Sequence, residues 1–223
     1  MALDPPPGRL IGFQVLTGNG TYTPTSGTST AYVMAIGGGG GSGSALYTSL
    51  GSTSGGGGAG GIAVLLITTL TASYAFSCGT GGVGGSVAGG GSSPNGGNGG
   101  STTFASPAIL TAPGGFGSPV GADSANFSEG GGTSNAPSGG VLGKRGEAGQ
   151  AGMSLIVLGG VNPAMSGKGA SSPHGIGGAG RTTEGVGTAA TGFGSGAGGA
   201  VALTGNRAGA AGSPGAIIVW EYT

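Results

Sequence analysis

The sequence predicts an all-β protein: an antiparallel, β-sandwich-like core that carries long glycine-rich loops. Three observations predict it. Short runs rich in branched and aromatic residues recur along the chain, as strands do. No segment shows a helical apolar period with caps. Glycine supplies 62 of the 223 residues, against a usual share of about 7%, and much of it repeats in threes.

Strands are predicted at 10–17 (LIGFQVLT), 30–36 (TAYVMAI), 62–70 (IAVLLITTL), 72–78 (ASYAFSC), 107–112 (PAILTA), 153–158 (MSLIVL) and 216–222 (AIIVWEY). In 30–36, Tyr32, Met34 and Ile36 share one face while Ala31, Val33 and Ala35 share the other. In 62–70, Ile62, Val64 and Leu66 oppose Ala63, Leu65 and Ile67. Both faces are apolar in each run. An antiparallel sheet with one face in water would alternate with polar residues. Two apolar faces predict either the centre of a sandwich or a second layer contributed by another subunit, in a homotrimer for example.

Between the strands, 37–61, 79–101, 114–152 and 159–215 are rich in Gly, Ser and Ala. From Gly81 to Ser101 the chain divides into GGV, GGS, VAG, GGS, SPN, GGN, GGS. Gly143 to Gly152 reads GKR, GEA, GQA, G, and Gly209 to Gly215 reads GAA, GSP, G. A period of three fits a polyglycine or polyproline II helix, with three residues per turn and no internal hydrogen bonds. Such helices need backbone partners outside themselves, and glycine lets neighbours come close enough to supply them. Plain Gly/Ser linker is the alternative. Structureless loops beyond about 12–15 residues are uncommon in compact domains, which favours ordered tracts here.

Charge narrows the function. Six acidic and six basic residues cancel, and no Asp, Glu, Lys, Arg or His occurs between Arg9 and Asp123. Proton transfer near neutral pH needs such groups, so the first half offers only Tyr hydroxyls and Cys78. Lys144-Arg145 is the one adjacent basic pair, too little to displace counterions from nucleic acid. The lone Cys78 excludes an intrachain disulfide and reads as a small buried hydrophobe. The longest apolar run, IAVLLI, falls far short of the roughly 20 residues that span a bilayer. The opening MALDPPPGRL lacks the layout of a secretory signal. The expectation is a protein made in the cytoplasm, with residues 1–9 as an N-terminal docking peptide and 10–223 as a single domain.

Catalytic motifs fail on inspection. Gly79-Thr80-Gly81-Gly82-Val83-Gly84 matches GxGxxG, but more glycine follows where a dinucleotide site needs a helix. Neither GK pair is followed by Ser or Thr, as a phosphate-binding loop requires, and no GxSxG elbow occurs. Asp123 and Glu129 are the nearest approach to paired carboxylates, and nothing in the sequence brings them to one cleft. His174 stands alone in SSPHGIGG and reads as a surface residue, unless three copies meet to build a metal site. Asn19-Gly20-Thr21 and Asn126-Phe127-Ser128 match the glycosylation pattern without a secretory context. The expectation is a non-enzyme with no cofactor and no metal.

Side chains that stand out in the glycine tracts are then the candidate contacts: Tyr47, Phe116, Phe127, Lys144, Arg145, His174, Arg181 and Phe193. Loop residues on a rigid scaffold are the usual carriers of recognition, and aromatics and Arg are favoured anchors. Alternatively, Phe116, Phe127 and Phe193 plug local cores beneath their loops.

The layout TGNGTYTPTSGTSTAYVMAIGGGGGSG, followed by GGGGAGG and a strand at 55–70, resembles the glycine-rich domain of tail fibre and receptor-binding proteins of tailed bacteriophages. TTFASPAILTAPGG at 102–115 is similar to that family's hairpin, and GSPGAIIVWEYT to its ending. The resemblance runs from about Phe13 to Thr223. It implies a β-rich, homotrimeric module on the virion that binds a bacterial surface glycan or outer-membrane protein and contacts other tail or baseplate proteins through its N-terminus. Assembly in the host cytoplasm would need no signal peptide. A capsid decoration or baseplate component without receptor binding is the alternative.

Overall fold

The computed structural model describes residues 8–47, 51–87, 94–105, 108–121, 127–155 and 163–223. All regular elements among them are strands: β1 (Leu10–Leu16), β2 (Asn19–Tyr22), β3 (Thr30–Ile36), β4 (Ser52–Thr53), β5 (Ile62–Ile67), β6 (Tyr74–Ser77), β7 (Thr102–Phe104), β8 (Leu110–Ala112) and β9 (Phe127–Ser128). There follow β10 (Ser138–Gly139), β11 (Leu142–Lys144), β12 (Gly152–Ser154), β13 (Ala164–Met165), β14 (Gly175–Ile176), β15 (Thr191–Gly192), β16 (Val201–Ala202) and β17 (Ala216–Tyr222).

Two five-stranded antiparallel sheets form the sandwich, in the orders β1-β17-β3-β5-β11 and β10-β8-β7-β6-β2. The first pairs the chain's first and last strands, with Phe13 opposite Trp220 and Val15 opposite Ile218. Its inner face presents Ala31, Val33, Ala35, Ala63, Ile67, Ile217 and Val219 to Tyr22, Tyr74, Phe104, Leu110 and Ala112 of the second sheet. Tyr74 and Phe104 stack at 5.1 Å, and Tyr22 packs on both. The face assignments read from 30–36 and 62–70 hold, since Val33 pairs with Leu65 and Met34 with Val64. The TTFASPAILTA stretch is a hairpin, Thr102 pairing with Ala112 and Phe104 with Leu110.

The described parts of the glycine tracts are ordered, and their order is not that of a sheet. The N–H groups of Gly37 and Gly40 donate to Gly61 and Gly58; those of Gly38, Gly41 and Ser44 to Gly100, Gly97 and Pro94; those of Gly39, Ser42 and Ala45 to Ser213, Ala210 and Arg207. A partner that changes with each residue and returns every third is the pattern of a threefold extended helix; a strand has period two. The carbonyls of the same segment accept from three further segments: from Gly115, Ser118 and Gly121, from Gly82 and Gly85, and from Ala197. Segment 37–45 thus has six neighbours, as a rod has in hexagonal packing.

Segment 54–61 is a second such centre. It donates to 194–200 (from Ser54, Gly57 and Gly60), to Glu147 and Gln150, and to Pro113 and Phe116. It accepts from Gly167 and Ala170, from Gly131, and from Gly37 and Gly40. The two centres are therefore each other's neighbours and share 113–121 and 194–200. Register shows mixed directions: 54–61 runs antiparallel to 37–45, and 113–121 parallel to it.

This packing explains the composition. Both centres are buried along their whole length, and a Cβ at Gly40 would lie 2.1 Å from the Phe116 carbonyl oxygen, one at Gly57 2.1 Å from that of Gly40. Peripheral segments need glycine only on the side that faces a centre. In 143–152, Gly146 and Gly149 abut Ala59 and Gly56 while Lys144, Arg145, Glu147 and Gln150 lie exposed. That is why glycine recurs every third residue there.

Strand and lattice are continuous: β3 runs into Gly37, Gly61 into β5, and Gly215 into β17. Thr102 seals the seam, its hydroxyl donating to the Ile36 carbonyl at 2.6 Å and accepting from the Gly79 N–H at 3.0 Å. One expectation is corrected. The triplets from Gly81 to Ser101 do not form one helix: 79–87 runs parallel to 37–45 and 94–101 antiparallel. The predicted 107–112 and 153–158 strands shorten to Leu110–Ala112 and Gly152–Ser154, with 107 and 156–158 outside the described residues. Of the predicted docking peptide 1–9, only Gly8 and Arg9 are described.

Candidate binding surface

The lattice has two ends. One joins the sandwich; the other, at the level of Ala45, Ser54 and Arg207, carries, among the described residues, only short turns and two-residue or three-residue strands. The candidate residues divide between them.

At the sandwich side, Lys144 and Arg145 line a cleft of about 270 Å³ with Glu147, Ser171, Ser172 and Pro173. Lys144 Nζ lies 3.4 Å from Glu147 Oε1, both side chains about two-thirds exposed, a pairing that contributes little in water. His174 and Phe193 sit on the adjoining turn. The Phe193 N–H donates to the His174 carbonyl at 3.0 Å, and Gly175 pairs with Gly192. Phe116 lies midway along the lattice, half-buried, its ring 3.6 Å from the space beside Gly132.

At the far end stand Phe127 and Arg181. Phe127 is 64% exposed and pairs with Met153, which pairs in turn with Met165. These three side chains share one face of the β13-β12-β9 sheet. Leu155, Pro163, Met165 and Thr182 enclose an apolar hollow of about 220 Å³ beside it. The Arg181 Nε is buried with no hydrogen-bond partner. Its guanidinium lies against Gly185, where a Cβ would come within 2.7 Å of it.

Two polar clusters went unnoticed in the sequence. At the far end, Glu184 accepts from the Thr204 hydroxyl at 2.8 Å and from the Thr204 N–H at 3.0 Å, and pairs with Arg207 at 3.0 Å. The Thr204 bonds hold its carboxyl below the usual glutamate value. The cluster closes the 202–207 turn, and Asn206 Oδ1 accepts the Tyr47 N–H at 2.8 Å. The second cluster surrounds Glu221, at the end of the sandwich remote from the lattice. Alternation along AIIVWEY could have found it, since Glu221 falls on the same face as Ile217 and Val219. Cys78 is buried, as expected of a small hydrophobe, with its thiol pushed up to about 11 by burial. Among the described residues, no group of three or more His, Cys, Asp or Glu gathers to hold a metal ion.

An all-β sandwich continued into a glycine lattice defines the architecture. The chain belongs to the glycine-rich domain family, whose pattern matches residues 14–222. No curated protein matches the sequence.

Proposed function

We propose that the chain is a virion protein of a tailed bacteriophage, a tail-fibre or tail-tip module that attaches the particle to a receptor on the bacterial surface. The observation that carries this reading is the far end of the lattice. There, Tyr47, Arg181 and the short strands bearing Phe127, Met153 and Met165 are set on a base whose described segments are cross-bonded to their neighbours. Rigid presentation of exposed side chains is what recognition needs, because little ordering entropy is lost on binding. Assembly as a homotrimer would bring three such ends to one axis and gain avidity without a tight single contact. The resemblance of the strand-to-glycine junctions and of the C-terminal strand to phage tail modules supports the setting.

The test is labelling of a panel of bacterial strains with fluorescent recombinant protein. Selective labelling is expected. It should be lost on replacing Phe127 and Met165 together by Ser, and kept on replacing Lys144 and Arg145 by Ala. A folded protein that labels no strain would overturn the receptor reading and favour a structural part of the capsid or baseplate.

A further inference from the structure

The cleft on the sandwich side holds Lys144 and Arg145, the one adjacent basic pair of the chain, and the attachment surface makes no use of it. Both of its walls are fixed through the backbone. On one wall, Lys144 ends β11 opposite Ile62, the Gly146 N–H donates to Ser134 Oγ at 2.8 Å, and the Glu147 carbonyl accepts the Ala59 N–H at 2.8 Å. On the other, the Ser171 hydroxyl accepts the Gly177 N–H at 3.0 Å. Beside it the Ser172 hydroxyl donates to the Phe193 carbonyl and accepts the His174 N–H at 3.1 Å. A site held in this way is formed before a ligand arrives.

The polar groups of the cleft are only partly engaged. Lys144 and Glu147 make one exposed pair at 3.4 Å, weak enough for a ligand to displace. The Arg145 guanidinium has no hydrogen-bond or ion-pair partner among the described residues. The Ser171 hydroxyl accepts one bond and donates none.

Charge selects the ligand. Lys144 and Arg145 against Glu147 leave one positive charge in surplus, which a carboxylate balances. A phosphate group carries about −1.5 to −2 at neutral pH and would crowd Glu147 with excess negative charge. The planar fork of Arg matches both oxygens of a carboxylate. Glu147 adds acceptor oxygens and Ser171 a donor, the complement of hydroxyl groups beside that carboxylate, and Ile62 adds an apolar surface. The volume of about 270 Å³ is at the small end of ligand sites, room for about one sugar ring.

We propose that this cleft binds an acidic sugar unit of the uronic-acid type. Arg145 forks the carboxylate, Lys144 flanks it, and Glu147 and Ser171 take the ring hydroxyls. The inference does not rest on the attachment reading, which assigns recognition to Phe127 and Met165 at the far end. One contact of this size is too weak to carry cell labelling, so uronate binding and labelling can each fail without the other.

The test is a nuclear magnetic resonance titration of the nitrogen-labelled full chain with D-glucuronate, with acetate, inorganic phosphate and D-glucose run separately. Glucuronate should give saturable amide shifts confined to the neighbourhood of Lys144–Glu147 and Ser171–Ser172, and the other three should bind more weakly. Arg145→Gln should weaken glucuronate by about tenfold or more, as loss of a charged, two-point contact does. Arg145→Lys should rescue little of it, because the fork is gone. Neither change should alter the melting temperature, since the Arg145 side chain has no partner to lose. Glu147→Gln should shift the preference from glucuronate towards phosphate. Absence of saturable shifts would overturn the proposal, as would binding unchanged in Arg145→Gln. Acetate or phosphate binding the native cleft as tightly as glucuronate would also overturn it, and would leave an adventitious ion only.

Discussion

Tyr22 donates its phenol to Glu221 at 2.7 Å inside the sandwich, and Glu221 is fully buried with no cation paired to it among the described residues. Four donors take the place of a counter-ion. Besides Tyr22, the Thr25 hydroxyl (2.6 Å), the Thr25 N–H (2.9 Å) and Gln14 Nε2 (3.2 Å) point at the carboxylate. Burial acts to raise the carboxyl's value, but the hydrogen bonds from Thr25, Tyr22 and Gln14 outweigh it and hold the group below its ordinary 4.5. The cluster ties β1, β2 and β17 together where the lattice gives no support. Tyr22→Phe should cost about 1.5–3 kcal/mol, the range for a hydrogen bond to a charged group, read by urea unfolding at neutral pH.

The same carboxylate fixes a pH dependence. Its folded value is below its unfolded value, so its contribution is present above pH 4.5 and is lost as pH falls through the folded value. Urea midpoints taken between pH 7 and pH 3 should fall for the native chain. Glu221→Gln should start less stable at pH 7 and show a shallower decline below pH 4.5. Parallel curves for the two proteins would show that other groups govern the acid limb.

Glycine content alone does not say which glycines matter, but the lattice does. A Cβ on Gly57 would sit 2.1 Å from the Gly40 carbonyl oxygen and 2.6 Å from its carbon, both backbone atoms between two buried centres. Neither can move without breaking neighbouring bonds, so Gly57→Ala should cost about 3 kcal/mol or more, at the upper end for overpacking. Gly132 is peripheral and exposed, with only the Phe116 ring within 3.6 Å and no left-handed φ. Gly132→Ala should be neutral, or stabilising by about 0.4–1 kcal/mol through the unfolded chain. Melting temperatures of the pair separate a lattice from a linker, in which both changes would be harmless.

Much of this was legible in the residues. The apolar faces of 30–36 and 62–70 identified the sheet that is apolar on both sides, and the triplets at 143–152 and 209–215 marked peripheral lattice segments. The centres were harder to read. In 37–41 glycine occupies every position, because six neighbours leave no open side, and an unbroken run carries no period. The two-residue strands such as β4 and β16 left no signal either, since Thr53 and Val201 pair only because lattice register brings them together. The candidate side chains were found singly, but their division between two ends depends on the direction of each segment, which glycine sequence does not encode. Met153 and Met165 escaped notice for a similar reason: they become neighbours of Phe127 only through pairing across β12.

Serine serves as a splice in the lattice. The Ser118 hydroxyl donates to the Gly55 carbonyl at 2.7 Å and accepts from the Gly43 N–H at 2.8 Å, joining both centres through a third segment. Ser118→Ala removes no bulk that packing needs, yet it strands two buried backbone groups. Each should cost about 1–3 kcal/mol. Asn98 does the same work at the surface, its Oδ1 accepting the Gly117 N–H at 2.9 Å where water can substitute. Asn98→Ala should therefore cost about 1 kcal/mol or less. Amide exchange should report the difference locally, with Gly43 losing protection far more than Gly117.

Cys78 offers a reporter for the seam between sandwich and lattice. Its thiol is buried, donates to the Leu16 carbonyl at 3.4 Å, and is pushed up to about 11 by burial, against a smaller opposing effect of a backbone hydrogen bond from Ile217. The thiolate is the reactive form, so at pH 8 a disulfide reagent should label Cys78 only when the seam opens. Labelling rates should then rise in Gly57→Ala and Ser118→Ala in proportion to their loss of stability, if the lattice and sandwich unfold as one unit. The raised value also has a sign. Its stabilising effect is complete below the ordinary 9.0 and is lost as pH climbs towards 11, because the unfolded thiol ionises first. Cys78→Ala should remove that component from the alkaline limb, leaving the part above pH 10 that Tyr22 supplies, whose phenol is likewise raised by burial and by Glu221. An alkaline limb unchanged in Cys78→Ala would mean that the thiol does not stay protonated in the folded protein.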